Sequence, residues 1–187
     1  RALMLVRLPN IVCKAGTGSK AGLAFMCGAV STLALPPFFM WPVLFLTFTT
    51  FVWILDGAAF AHRTPILRRV SIFAVLGWAF GFGYFLAGVH WVGYSFLSNP
   101  TSYPVLTKIG MVIAVLALTA GLGLFYGVAS AICAVLWRPG YARLAAFAFA
   151  FFLAEFGRST ILTGFPWNLF GLALTSDDAS MQAASIV

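Results

Sequence analysis

Charge is the scarcest property of this sequence. Only 8% of its 187 residues are charged and only four are acidic, whereas soluble domains carry about 25% charged residues. Cysteine is also rare, and Cys13, Cys27 and Cys133 show neither a CxxC pair nor metal-ligand spacing. The lack of charge argues against a water-soluble fold. The cysteine spacing argues against a cysteine-based metal site.

Apolar side chains make up most of the sequence in place of charged ones. The sequence is 62% hydrophobic and 17% aromatic, with a mean hydropathy of +1.01. A small domain exposes much of its surface, so a water-soluble fold could not hide this many apolar side chains. We therefore expect lipid to surround the chain, and the predicted fold class is an all-α, polytopic transmembrane helix bundle.

The apolar runs predict five complete spans, because a helix needs about 20 apolar residues to cross a bilayer. Asp177 and Asp178 could cap the start of a sixth helix. Lys20, at the start of the first run, is expected to extend to the membrane surface. In the third run, Gly77 and Gly81 are spaced to let helices approach closely. The runs cover residues 19–35, 38–55, 70–96, 105–137 and 144–162.

The basic residues predict an orientation rather than a nucleic-acid surface. The net charge is +7, but the basic side chains stand singly or in pairs between apolar runs. Basic residues are concentrated in cytoplasmic loops, which places the N-terminus in the cytoplasm and only Lys108 and Arg158 at the outer side. The nine basic residues on the cytoplasmic side are Arg1, Arg7, Lys14, Lys20, Arg63, Arg68, Arg69, Arg138 and Arg143.

Two domains follow from this arrangement. Residues 1–18 are interpreted as a cytoplasmic tail, and residues 19–187 as the transmembrane domain. The first residue is not Met, and the last residues stop within an apolar run. The sequence is therefore expected to be a fragment, truncated at its C-terminus.

An acid and a base stand together near the end of the fifth run. Glu155 and Arg158 are three residues apart and share one face of a helix. A charge in the bilayer costs about 2.5–3.5 kcal/mol even on translocon-based scales, which favours an ion pair near the outer interface. In a second interpretation, Arg158 also faces a phosphate headgroup, which its planar fork of donors would suit.

Aromatic residues mark the outer ends of two runs. His90 and Trp91 lie near the outer end of the third run, and Phe165, Pro166 and Trp167 form a corner after the fifth. Pro166 holds Phe165 in an extended conformation, and Trp favours the membrane interface. We treat these residues, with Glu155 and Arg158, as candidates for the lipid interface. Spacing alone indicates no catalytic residue, no cofactor and no metal.

Three blocks of sequence resemble one family. The blocks "STLALPPFFMWP" (Ser31–Pro42), "GWAFGFGYFLAGVHWVGYSF" (Gly77–Phe96) and "EFGRSTILTGFPWNLFG" (Glu155–Gly171) resemble the N-terminal membrane domain of bacterial apolipoprotein N-acyltransferase. They occur in the family's order and at similar separations. The "TGFPW" segment after a helix with Glu and Arg is the most specific of them.

The resemblance implies an acyltransferase of the bacterial inner membrane that works on its periplasmic side. Such enzymes move a fatty acyl chain from a phospholipid donor to the free amine of a diacylglyceryl apolipoprotein acceptor. A Glu–Lys–Cys triad on a nitrilase-like domain carries that chemistry, and this sequence lacks the domain. The chain alone is therefore expected to anchor and to position membrane lipid without turnover, with no nucleic acid as a partner.

Two other interpretations stay open at this stage. One is a small transporter or channel component without covalent chemistry, which a functional ionisable residue in mid-span would favour. The other is a non-catalytic membrane scaffold. No ionisable residue lies deeper in a predicted span than Glu155.

Overall fold

Helices make up most of the described fold. The computed structural model describes residues 11–59, 65–96, 104–161 and 164–175, together with positions 179, 181 and 182. Within these residues there is no β-strand, so the all-α prediction is confirmed. The five long helices are α1 (Thr17–Ser31), α2 (Val43–Ala59), α3 (Ile66–Val89), α4 (Pro104–Leu136) and α5 (Ala142–Thr160); shorter 3₁₀ segments cover Thr32–Ala34, His90–Phe96 and Phe170–Leu174.

Among the described residues, two helical stretches are long and apolar enough to cross a membrane. They run over Ile66–Ser95 and Val105–Leu136, and the apolar helix Val43–Ala59 is shorter. Five complete spans are therefore not confirmed and stay a prediction. The predicted start of a sixth helix at residues 177–178 and most of the predicted tail, residues 1–10, lie outside the described residues.

The second helix begins later than its apolar run predicts. We expected it from residue 38, but α2 starts at Val43. The residues before it form tight turns: the Pro36–Pro37 peptide is cis, Phe39 has a φ of 50°, and the Met40 amide donates to the Leu33 carbonyl at 2.9 Å. Apolar composition could not reveal these turns because the turn residues are themselves apolar.

Aromatic rings fill the space between α2, α3, α4 and α5. Phe51 of α2 lies 4.7 Å from Phe80 of α3, measured between ring centroids. Tyr126 of α4 lies 5.2 Å from Phe151 of α5. Tilted and edge-on ring pairs at these distances stabilise a core beyond the area they bury. This aromatic core therefore fixes how the four helices sit against one another.

Glycines bring α3 against α4, as their spacing predicts. A Cβ added to Gly81 would stand 2.9 Å from the Cα of Gly123, which is closer than real Cβ contacts. At Gly77, an added Cβ would meet the Ser130 side chain and the Tyr126 carbonyl. A side chain at either position would push the helices apart, so the predicted close approach is confirmed at both.

One end of the bundle is held by the Asp56 cluster, which consists of Asp56, Trp137 and Arg143. The Trp137 indole donates to Asp56 Oδ1 at 3.0 Å, and Arg143 Nη1 lies 2.8 Å from Asp56 Oδ2. These bonds connect α2 to the end of α4 and the start of α5. Because α5 begins here, its other end reaches the opposite end of the bundle.

Lys20 lies on the Asp56 side of the bundle and does not extend outward. Its residue is only 7% exposed, and its Nζ lies beside Gly57 of α2 together with the backbone of Cys13. The prediction that Lys20 reaches the membrane surface is therefore wrong. The helical turn at residues 11–14 packs on α2, where the Cys13 thiol donates to the Trp53 carbonyl at 3.3 Å.

Candidate functional site

The last two turns of α5 carry a buried ion pair. Glu155 and Arg158 face the same side of the helix, and Arg158 Nη2 lies 3.1 Å from Glu155 Oε1. The Arg158 side chain is 1% exposed and that of Glu155 is 17% exposed. Burying a charge this completely is costly unless it is paired and fully hydrogen-bonded. The remaining partners of Arg158 therefore decide what the pair does.

Those partners are backbone carbonyls of the corner, by which we mean residues 164–168. Arg158 Nη1 donates to the carbonyl of Phe165 at 2.5 Å and to that of Trp167 at 2.6 Å. Its Nη2 donates to the carbonyl of Asn168 at 3.3 Å, and the guanidinium lies 5.0 Å from the centre of the Phe85 ring. Arg158 thus holds a non-helical segment whose carbonyls have no helical partners.

Glu155 accepts hydrogen bonds from the chain just after the corner and from α4. Its Oε2 accepts from the Phe170 amide at 3.1 Å, and its Oε1 accepts from the Tyr126 hydroxyl. Tyr84 of α3 donates to the Asn168 carbonyl at 2.9 Å. We call Tyr84, Tyr126, Glu155 and Arg158 together the Glu155 cluster. It connects α3, α4 and α5 to the corner.

The corner has a backbone shape that requires particular residues. Gly164 has a φ of 80° and Asn168 a φ of 54°, in the left-handed region that Gly and Asn tolerate best. An added Cβ at Gly164 would collide with the Ser159 carbonyl. The turn carries the chain back over the end of α5, where the Phe165 amide donates to the Arg158 carbonyl at 2.8 Å.

Beside the corner lies a cavity of about 520 Å³, which we call the corner cavity. The indole rings of Trp91 and Trp167 meet there with centroids 5.9 Å apart. His90 also lines it, with Nδ1 2.8 Å from the Ala87 carbonyl. Its twelve lining residues are Thr32, Leu35, Pro36, Pro37, Phe38, Ala87, Gly88, His90, Trp91, Trp167, Asn168 and Leu172.

The side-chain amide of Asn168 lies against helix α3 because Gly88 has no side chain. A Cβ added to Gly88 would overlap the Asn168 Nδ2 atom. This nitrogen is buried and has no hydrogen-bond partner among the described residues. The main-chain carbonyl of Asn168, in contrast, accepts from both Tyr84 and Arg158.

The candidates from the sequence thus fall into two groups. His90, Trp91 and Trp167 line the corner cavity, whereas Glu155 and Arg158 are not among its lining residues. Phe165 packs against the core, and Pro166 is exposed. Both guanidinium Nη atoms of Arg158 are committed to protein acceptors, so it does not present a free fork of donors to a headgroup.

Sequence reasoning missed Tyr84 and Tyr126. Both are fully buried, and their hydroxyls reach partners 84 and 29 residues away in the chain. One signal was available, because a buried Tyr usually finds a partner for its hydroxyl. Tyr in the middle of an apolar helix therefore indicates a polar group on a neighbouring helix.

The described residues offer little for metal binding or covalent catalysis. Nowhere in them do three His, Cys, Asp or Glu side chains come close enough to hold a metal ion. Cys27 is 6% exposed and Cys133 is fully buried. Burial raises the pKa of the Cys13 thiol, and the Asp56 carboxylate raises it further. All three thiols therefore lack the exposure or the lowered pKa of a nucleophile.

Together these features define an all-α bundle with an apolar core, two helices long enough to cross a membrane, and a corner held by a buried arginine. The profile of the apolipoprotein N-acyltransferase N-terminal domain matches residues 27–187. Because this match covers most of the chain, the protein belongs to the apolipoprotein N-acyltransferase family.

Individual relatives carry the same name. The apolipoprotein N-acyltransferase of Rhodopseudomonas palustris is 39% identical over 184 residues, which are 98% of this chain and 33% of the relative. That of Rhizobium rhizogenes is 41% identical over 168 residues, 90% of this chain and 31% of the relative. For the Brucella melitensis protein the identity is 39% over 184 residues, covering 98% and 34%. The chain spans about a third of the length of these relatives.

Proposed function

We propose that this chain is the membrane domain of an apolipoprotein N-acyltransferase of the bacterial inner membrane. In the proposed reaction, a fatty acyl chain leaves its ester bond in a phospholipid and forms an amide with the N-terminal amine of an S-diacylglyceryl-cysteine. The lysophospholipid is the second product. Family membership and the two apolar helices support this assignment.

The proposed role of the chain within that enzyme is to anchor and to position lipid. An acyl transfer of this kind needs an activated nucleophile. None of the three cysteines meets this need, since Cys27 and Cys133 are buried and the pKa of Cys13 is raised. We therefore place the Glu–Lys–Cys chemistry of the family outside this chain.

The observation that carries the proposal is the corner held by Arg158. Three backbone carbonyls bind one buried guanidinium, so the corner keeps a fixed shape at one end of the bundle. Pro166 and Trp167 are exposed on it. A rigid segment with an exposed indole suits the membrane interface, where a catalytic domain could rest and meet lipid.

The proposed orientation places the corner in the periplasm and the Asp56 cluster near the cytoplasm. Reporter fusions test this. Alkaline phosphatase, which is active only outside the cytoplasm, is expected to be active when fused after Asn168. The matched fusion after Gly140, in the turn before α5, is expected to be inactive. The reverse pattern would overturn the proposed topology.

An acyl-transfer assay tests the absence of turnover. The purified chain is mixed with dioleoylphosphatidylethanolamine and an S-diacylglyceryl-cysteine peptide, and the mass of the peptide is measured by mass spectrometry. We expect no gain of an acyl group. The full-length Rhodopseudomonas palustris relative serves as the positive control. Acylation by the chain alone would contradict the proposal that its role is limited to anchoring and positioning.

A further inference from the structure

The walls of the corner cavity combine apolar surface with a few neutral polar groups. Its volume of about 520 Å³ lies within the range of small-molecule sites. The turn at Leu35–Phe38 forms an apolar side, and the two indoles form another. This composition suits an amphiphile better than a wholly polar solute.

Three ring nitrogens on these walls are available to a ligand. Trp91 is 48% exposed and Trp167 is 56% exposed. Their Nε1 atoms donate to no acceptor in the part of the chain that the structure describes. His90 directs Nδ1 to the Ala87 carbonyl, which leaves Nε2 as an acceptor in the neutral ring. Besides the buried amide of Asn168, the lining residues thus carry two indole N–H donors and one imidazole acceptor.

No lining residue carries a permanent charge. A phosphate is usually bound by Arg or Lys, and the nearby Arg158 already donates to Glu155 and to three carbonyls. An ammonium group would find no carboxylate on the walls. The cavity therefore favours the uncharged part of a lipid over its charged headgroup.

Indole groups also indicate the depth at which this cavity lies. Trp is enriched where the membrane meets water, because its ring is apolar and its N–H can donate. In the proposed orientation, the corner cavity therefore lies between the hydrocarbon and the headgroups. The uncharged acceptors of a glycerolipid at that depth are its ester carbonyls.

We propose that the corner cavity is a binding site for the ester-linked glycerol of a diacylglycerolipid. The indole N–H groups of Trp91 and Trp167 donate to its ester carbonyls, and His90 Nε2 accepts from a hydroxyl where one is free. This inference rests on the proposed membrane function and adds the group that the site recognises. The same chemistry occurs in phospholipids and in the diacylglyceryl group of an apolipoprotein.

A competition between an ester and an ether tests the site. The full chain in detergent micelles receives equal amounts of dioleoylglycerol and its diether analogue, which has the same chains but no ester carbonyl. Native mass spectrometry gives the ratio of the two bound lipids. We expect the unchanged chain to prefer the ester about two- to tenfold, the range of a net hydrogen bond. Equal binding of the two lipids would overturn the proposal.

Matched variants test which tryptophans produce the preference for the ester lipid. W91F and W167F keep an aromatic ring and remove only the N–H donor, so each is expected to lower the ester preference, and the double variant to abolish it. W41F removes an indole that is 44% exposed and lines a different cavity, and it should keep the preference. A preference that survives the double variant, or is lost equally in W41F, would overturn the site. The single variants decide if the double variant does not fold.

Displacement experiments distinguish the two lipid sources. Bound dioleoylglycerol is challenged with dioleoylphosphatidylethanolamine in one arm and with an S-dioleoylglyceryl-cysteine peptide in the other. Displacement by either supports the site and identifies its source, whereas displacement by neither overturns it. The reporter fusions test topology without lipid binding, and this competition needs no acyl transfer. The proposed function and the proposed site can therefore fail separately.

Discussion

The two ends of α5 each carry an ion pair between an arginine and an acidic residue, but the two pairs differ in structure. At its start, Arg143 pairs with Asp56 of α2, and the two side chains are 32% and 10% exposed. At its end, Arg158 pairs with Glu155 of the same helix and is 1% exposed. The first pair connects helices to one another. The second connects helices to a backbone segment that has no regular hydrogen bonding.

Each pair also has one aromatic donor, which makes the comparison closer. Trp137 donates to Asp56, and Tyr126 donates to Glu155. What separates the clusters is the set of partners of the arginine. Arg158 binds three carbonyls of the corner in addition to its acid, so its loss would leave several buried acceptors unpaired. A buried group left without its partner costs more than an exposed pair contributes.

The largest expected effect is that of Arg158→Met. Removing one member of a buried pair lowers the free energy of unfolding by about 3–5 kcal/mol. The measurement is SDS-induced unfolding in mixed micelles, followed by circular dichroism. Arg138→Met is the matched control, since Arg138 is exposed, and should change stability by less than about 0.5 kcal/mol. Equal losses in both variants would show that the corner does not depend on Arg158.

A smaller loss is expected from Tyr126→Phe. The variant keeps the ring in the aromatic core and removes the hydroxyl that Glu155 accepts from. Hydrogen bonds to charged groups contribute about 1.5–3 kcal/mol, and the same unfolding measurement should show a loss in this range. Tyr141→Phe removes a hydroxyl from a residue that is 89% exposed and should be neutral. A neutral Tyr126→Phe would mean that the Glu155 cluster does not need α4.

At the start of α5, Asp56→Asn should lower the free energy of unfolding by less than the two variants above. The amide keeps an oxygen for the Trp137 indole but loses the charge opposite Arg143. Because about a third of Arg143 is exposed, solvent screens this pair, and we expect a loss of about 1 kcal/mol. Glu155→Gln makes the same chemical change in the buried cluster and should cost more. The reverse order would break the contrast between the two ends.

Salt is expected to have the smallest effect on stability, but it should distinguish the two ion pairs most clearly. Raising the salt concentration from about 0.1 M to about 1 M shortens the screening length from about 10 Å to about 3 Å. Double-mutant cycles on Asp56 with Arg143, and on Glu155 with Arg158, measure each coupling energy at both concentrations. Only the Asp56–Arg143 coupling is expected to weaken. A weakened Glu155–Arg158 coupling would mean that solvent reaches that pair.

The sequence predicts the helices and their close contacts better than it predicts the site. Apolar runs locate five helices, and the glycine spacing at Gly77 and Gly81 correctly indicates where α3 meets α4. Both features are local, so a single segment contains the signal. The start of α2 is missed because the turn residues before it are apolar. The position of the Lys20 side chain is predicted wrongly because residues 11–14 pack over the end of the bundle where Lys20 lies.

The site depends on contacts between distant segments. Spacing of three residues places Glu155 and Arg158 on one face, but it does not reveal that the corner turns back to supply carbonyls. The hydroxyl of Tyr84 reaches a carbonyl 84 residues away, and no periodicity within α3 contains that information. Trp91 and Trp167 meet only because the corner and the end of α3 are brought together.

The contact between Gly88 and the Asn168 side chain offers a way to alter the corner cavity by one carbon atom. The Asn168 amide occupies the space that a methyl group at position 88 would fill, and it is the free end of a flexible side chain. Alanine at this position would therefore turn the amide away from α3 without breaking any bond of the buried arginine. Because Gly88 and Asn168 both line the corner cavity, one added carbon at position 88 could in this way change the polarity of the cavity wall, which offers an engineer a means of retuning the site with a single methyl group.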